Sequence, residues 1–215
     1  MDQLELLKKQ WKNREQDLPT FSYTDIYDML LKKSSSIVKW IFYISIGEII
    51  LWTLLAFLVP ESSKEINEGM GLKSTLVSIN ILNYIIFAIF IILFYKNYRS
   101  IKVTDSIKSL MANILKTRRT VKYFVIYNVG ATLLLLIFVN IYYYKNKEQL
   151  YTYLIENFEG YSALPQENFT SIFFLSQLLG GIIIIGFLLL FYRIIYGILL
   201  KRLYSNYKEL KKIEL

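Results

Sequence analysis

The chain has 215 residues, 54% of them hydrophobic, and a formal net charge of +8 from 25 basic and 17 acidic side chains. Cysteine and histidine are both absent. That excludes disulfides, thiolate and imidazole metal sites, a cysteine nucleophile and the commonest general base.

Residues 1–36 are polar and charged, and no short apolar run follows a basic start, so no cleavable leader is predicted. Leu4, Leu7, Trp11 and Leu18 recur at helical spacing, and Leu18-Pro19-Thr20 breaks that pattern. Ser22 and Asp25 have the spacing of a capping box, which predicts a second short helix over Thr24–Lys33. Ser34-Ser35-Ser36 then reads as the joint to the first apolar block. These helices suit two settings equally: packing on the other cytoplasmic segments, or lying on the inner leaflet with Trp11 among Lys8, Lys9 and Lys12.

Four apolar blocks follow, at about 37–59, 74–95, 122–143 and 171–192. Each is close to the ~20 residues that cross the ~30 Å hydrocarbon core. Each is too long and too continuous for a barrel strand, so the spans are helices. Pro60 ends the first. The fourth stays apolar to Leu200 but is interrupted by Arg193, which predicts that the helix continues beyond the inner interface. Residues 37–200 thus form one four-span bundle and residues 201–215 a helical tail. The expected fold is all-α: an integral membrane four-helix bundle with amphipathic cytoplasmic helical extensions.

Charge placement sets the expected topology. Lys and Arg number 7 in residues 1–40, 8 in 96–122 and 6 in 193–215, against 2 in 61–73 and 2 in 145–170. Basic residues stay on the cytoplasmic side during insertion, so both termini and the middle loop are inside. The basic excess is accounted for by topology and attraction to anionic lipid, and nucleic acid is not an expected partner. Tyr142, Tyr143 and Tyr144 suit an outer interfacial belt, and Tyr95, Tyr98, Tyr123 and Tyr192 an inner one.

Apolar stripes continue outside the spans. Val103, Ile107, Leu110, Met111 and Ile114 form one, and Leu203, Tyr207 and Leu210 another. With Leu4, Leu7 and Trp11, the residues Val103, Ile107, Leu110 and Ile114 make the expected partner-binding face. In the outer segment 144–170, Tyr151, Leu154, Ile155 and Phe158 suit a helix resting on the outer interface, ended by Gly160 and Pro165. The sequon at Asn168-Phe169-Thr170 is too short a pattern to carry weight.

Of the 17 acidic residues, Glu48 alone lies inside an apolar core. A carboxyl there should face the bundle and be protonated or paired. Counting from the outer span ends puts Asn80, Asn83, Thr132 and Gln177 near the same depth, so these five form the candidate intramembrane polar site. The structural interpretation is a register-fixing hydrogen bond between helices. The functional one is a carrier of protons, cations or a polar ligand. Gly180, Gly181 and Gly186 read as close-packing positions. No phosphate loop, nucleophile elbow or metal-spaced cluster is present, so neither a cofactor nor enzymatic activity is expected.

The stretch YDMLLKKSSSIVKWIF, within the opening that runs from Leu4 to Phe42, resembles small four-span inner-membrane proteins of the Bacteroidota, especially flavobacteria. The resemblance runs the length of the chain. Some such proteins carry the label of a beta-carotene monooxygenase. Soluble carotenoid oxygenases hold iron with four histidines, and this chain has no histidine to offer. Proximity of such proteins to extracytoplasmic-type sigma factors implies a regulatory membrane partner, although no anti-sigma zinc motif is present. Two functions follow as expectations. One is a non-catalytic anchor or regulator that forms a complex, with another protein or itself, through its cytoplasmic helices. The other is a small transporter or channel using Glu48.

Overall fold

The computed structural model describes residues 22–104, 106–161 and 165–214. Among them are six α-helices and no strand. They are α1 (Tyr23–Phe57), α2 (Glu61–Gly69), α3 (Lys73–Lys102), α4 (Ile107–Lys145), α5 (Lys147–Asn157) and α6 (Gln166–Glu214). A 3-10 turn, Glu159–Tyr161, follows α5. Four of these helices, α1, α3, α4 and α6, are long and apolar enough to cross a membrane. The expected all-α bundle is the observed one, and the chain is a multi-pass membrane protein. The expected partner residues Leu4, Leu7 and Trp11, and the helix break at Pro19, lie outside the described residues.

The long helices run alternately up and down. Each packs on two antiparallel neighbours, in the cyclic order α1, α3, α4, α6, with only a thin diagonal contact between α1 and α4. The connection between α3 and α4 is a turn of a few residues, which can only return the chain beside itself, while the other two connections carry α2 and α5.

The capping box is present: Ser22 Oγ accepts from Asp25 N–H at 3.2 Å and Asp25 accepts from Ser22 N–H at 2.9 Å. The helix it opens does not stop at Lys33, however. It runs unbroken through the three serines to Phe57. Serine is tolerated inside a helix when its hydroxyl finds a partner. Ser34 is fully buried and accepts from Asn206 Nδ2 at 3.0 Å. The expected joint is therefore an interhelical contact. The boundary at residue 200 is equally seamless, because α6 continues to Glu214.

Three apolar clusters stack along the bundle. At the end that charge placement predicts to be inner, and which is called inner below, Leu30, Ile101, Leu110, Ile114, Leu203 and Leu210 close a core made by all four long helices. Leu110 and Ile114, expected on a partner-facing stripe, are buried there, with Ile107 packed beside them; Val103 alone of that stripe stays exposed, at 65%. The described parts of these extensions thus bundle with one another, and Trp11 with Lys8, Lys9 and Lys12 lies outside the described residues. A middle cluster joins Ile41, Phe94, Val121, Phe124, Leu188, Tyr192 and Tyr196. At the outer end, Met70, Leu72, Tyr143, Leu150, Leu154 and Phe169 form a cap.

The segment after Pro60, for which the sequence pattern predicts no element, contains a helix, α2. Helix α5 is present as expected but buries Leu150 and Leu154 against the bundle end instead of resting on the interface. Tyrosines fasten the cap: Tyr142 donates to Met70 O at 2.8 Å and Tyr143 to Asn67 Oδ1 at 2.7 Å. Gly71 permits the turn into α3, with φ +74. Phe169, inside the sequon, is buried within α6.

Candidate functional site

Glu48 is 3% exposed and points from α1 into the seam with α6. Its Oε1 accepts from the Tyr192 hydroxyl and, at 3.4 Å, from Trp52 Nε1. Its Oε2 accepts from the Tyr196 hydroxyl at 2.9 Å. The pattern is local in origin. Trp52 follows Glu48 by four residues, so both occupy one face of α1. Tyr192 and Tyr196 have the same spacing on α6. Phe124 of α4 packs edge-on against both tyrosine rings, at 6.3 and 5.9 Å, and fixes their orientation.

This cage has no basic member. The ion pair found among the described residues, Lys73 with Glu68, lies at the outer end. An indole N–H can only donate, whereas a phenol hydroxyl donates or accepts. The cage can therefore hold the carboxyl in either protonation state without moving an atom heavier than hydrogen.

Beyond Trp52 and Tyr192 opens a cavity of about 250 Å³ lined by all four long helices. Its polar residues are Asn80, Asn83 and Tyr84 from α3, and Asn128 and Thr132 from α4. Asn83 Oδ1 accepts from the Tyr127 hydroxyl. Asn128 Nδ2 donates to Phe124 O at 2.8 Å and Thr132 to Asn128 O at 2.8 Å. Asn80, Ala56, Tyr84 and Ile184 are exposed, so the cavity opens sideways, where lipid would lie. Leu188 and Tyr192 of the middle cluster form part of its wall.

The structure thus brings Asn80, Asn83 and Thr132 together in one cavity, with Glu48 behind its wall. Gln177 is not part of it. It lines a separate outer cavity of about 300 Å³ with Asn67, Asn140 and Tyr143. Glu48 is opposite Tyr192 and Tyr196, on either side of Arg193, near the inner end of the fourth span rather than at its centre. Tyr192, expected in the inner aromatic belt, is instead a buried partner of Glu48. The i, i+4 spacing of Glu48 with Trp52 and of Tyr192 with Tyr196 was the available sequence signal for the cage. Among the three glycines expected to pack closely, a Cβ on Gly181 would touch Leu136 at 3.7 Å, while Gly180 and Gly186 face open space.

A helical bundle with a caged carboxyl and a polar cavity inside its spans defines a multi-pass membrane protein with an internal polar site. Over residues 24–215 the chain matches the family described as a domain of unknown function, DUF8845, and it belongs to that family. No curated protein and no solved structure matches it.

Proposed function

We infer that the protein is a non-catalytic regulatory component of a complex in the bacterial inner membrane, of the four-span type found in Bacteroidota, with both termini in the cytoplasm. One observation carries the reading: a single polar seam joins the spans to the inner bundle. Helices α1 and α6 are linked by Glu48 with Tyr192 and Tyr196, again by Ser34 with Asn206, and again where the Tyr23 hydroxyl donates to Ile213 O. Both helices are unbroken between these contacts. Packed helices transmit displacement because interiors are close-packed, so a change at Glu48 would shift the inner bundle. The partner, another membrane or cytoplasmic protein or a second copy of this chain, would read that shift. The test is purification from the native host in gentle detergent, with mass spectrometry of what accompanies the protein. A stoichiometric partner lost on deleting residues 1–33 supports the reading. A partner-free protein whose deletion variant leaves every phenotype unchanged refutes it.

The second reading is a small transporter or channel, and the cavity beside Glu48 favours it. Flux in proteoliposomes that is unaltered by Glu48→Gln, in a folded variant, would rule it out.

A further inference from the structure

The polar lining of the central cavity is incompletely used by the protein itself. Asn128 is 7% exposed, and its Nδ2 is taken by Phe124 O while its Oδ1 accepts from no described residue. Both ends of the Asn80 amide, and Asn83 Nδ2, have no described partner. In a hydrocarbon setting an unpaired amide group costs several kcal/mol, so such a cavity favours an occupant that supplies hydrogen bonds. The free oxygens of Asn80 and Asn128 ask for N–H or O–H donors.

Charge narrows the class. No Lys or Arg lines the cavity, and Glu48 Oε1 sits one side chain behind its wall, bonded to Trp52 and Tyr192. The wall is aromatic: Trp52, Tyr84, Phe87 and Tyr192. Ring faces and a desolvated carboxylate both attract cations. The volume of about 250 Å³ lies below the roughly 300–1,000 Å³ of drug-sized sites, so the occupant is small. Side entry through the exposed rim suits a molecule that also partitions into lipid.

We propose that this cavity binds a small amphiphilic organic ammonium ion, its N–H groups on Asn80 and Asn128 and its body against the aromatic wall, with the Glu48 carboxylate as the charge that selects it. The proposal uses the cavity of the transporter reading but requires only binding, not translocation. Glu48 bonds to Trp52 of α1 and to Tyr192 and Tyr196 of α6, and Phe94 of α3 and Phe124 of α4 pack in one cluster with those tyrosines. The tyrosines are the titratable ones among these. Binding therefore weakens when Glu48 takes up a proton.

The test uses the full chain in detergent with Trp11 and Trp40 replaced by Phe, so that fluorescence reports Trp52 alone. Benzylammonium is the probe; benzyl alcohol and benzoate are the neutral and anionic comparators. Expected is saturable quenching by benzylammonium, displaced by neither comparator and weakened as pH falls. Glu48→Gln should weaken it at least about tenfold and remove its pH dependence. Should Glu48→Gln fail to fold, Asn80→Leu, at an exposed rim position, should weaken it as well. Equal binding of benzyl alcohol, unchanged affinity in both variants, or no saturable quenching overturns the proposal. Binding without flux in proteoliposomes would refute transport and leave the proposal standing. Flux that depends on Glu48 without benzylammonium binding would do the reverse.

Discussion

Replacing Tyr196 by Phe removes one oxygen from the interior and should destabilise the bundle by about 1.5 kcal/mol. The magnitude follows from what the hydroxyl does. It donates at 2.9 Å to Glu48 Oε2, an atom with no other described donor. In water-soluble proteins a hydrogen bond to a charged group contributes about 1.5–3 kcal/mol. Between membrane helices the average is nearer 0.6 and the maximum about 1.7, because the unfolded chain also finds partners in lipid. An orphaned, fully buried carboxyl oxygen belongs at the top of that membrane range. Tyr192→Phe should cost less, about 1 kcal/mol, because Oε1 keeps the Trp52 N–H at 3.4 Å. In a Glu48→Leu background the Tyr196 hydroxyl has no acceptor, so Tyr196→Phe should become neutral or stabilising, as matched removal of both partners allows. Steric trapping in bicelles measures each corner of this cycle. A Glu48–Tyr196 coupling energy below about 0.3 kcal/mol would mean that the cage is not a specific interaction and would sink the seam argument.

Leu203→Ala, in the inner core, should cost about 2–5 kcal/mol in the same assay, whereas Val103→Ala on the exposed surface should stay within about 0.5 kcal/mol. Equal losses would show that the inner extensions do not bundle. A Cβ on Gly69 would stand 2.2 Å from the ring of Tyr153, whose hydroxyl donates to Glu65 O at 3.1 Å. Gly69→Ala should therefore displace that ring and cost about 1 kcal/mol, and the added Tyr153→Ala change should make it neutral. The chain has no cysteine of its own, so single-cysteine variants report topology directly. Glu65→Cys should react with a membrane-impermeant maleimide in intact cells and Asp28→Cys should not; the opposite pattern reverses the orientation.

Much of the architecture was legible because it rests on length and polarity. Lipid leaves a 20-residue apolar run one option, a helix, so the four long helices needed no tertiary information. The Ser22 box was legible for the same reason, being local. Helix α2 was not. Its sequence, ESSKEINEG, carries no buried residue and no apolar stripe. What positions it is the fastening of Asn67 and Met70 by Tyr143 and Tyr142, contacts from more than 70 residues away. The partner stripe failed differently. Periodicity identified the apolar face of α4 correctly but could not say that three other extensions of this same chain would cover it.

The misplaced Gln177 has a geometric cause, and it explains why Glu48 has the partners it has. Counting inward from the outer ends assumes that all spans begin at one level. Helix α1 ends at Phe57, and α2 with Met70 and Leu72 rises beyond it to complete the outer cap. Helix α6 has no such cap of its own and starts at Gln166, level with the top of that cluster through Phe169. Nine residues below Phe57 is thus roughly 14 Å, while Tyr192 lies 26 residues below Gln166, roughly 39 Å. Both distances reach one layer when the starting heights differ by about five turns. The offset moves Gln177 to the outer cavity and sets Glu48 against the tyrosines flanking Arg193. There the apolar core ends, and a carboxyl can be buried at less cost than at the bilayer centre. A titratable group one side chain behind the wall of a laterally open cavity, at the level where the spans pass into the inner bundle, is where a small charge change reaches both.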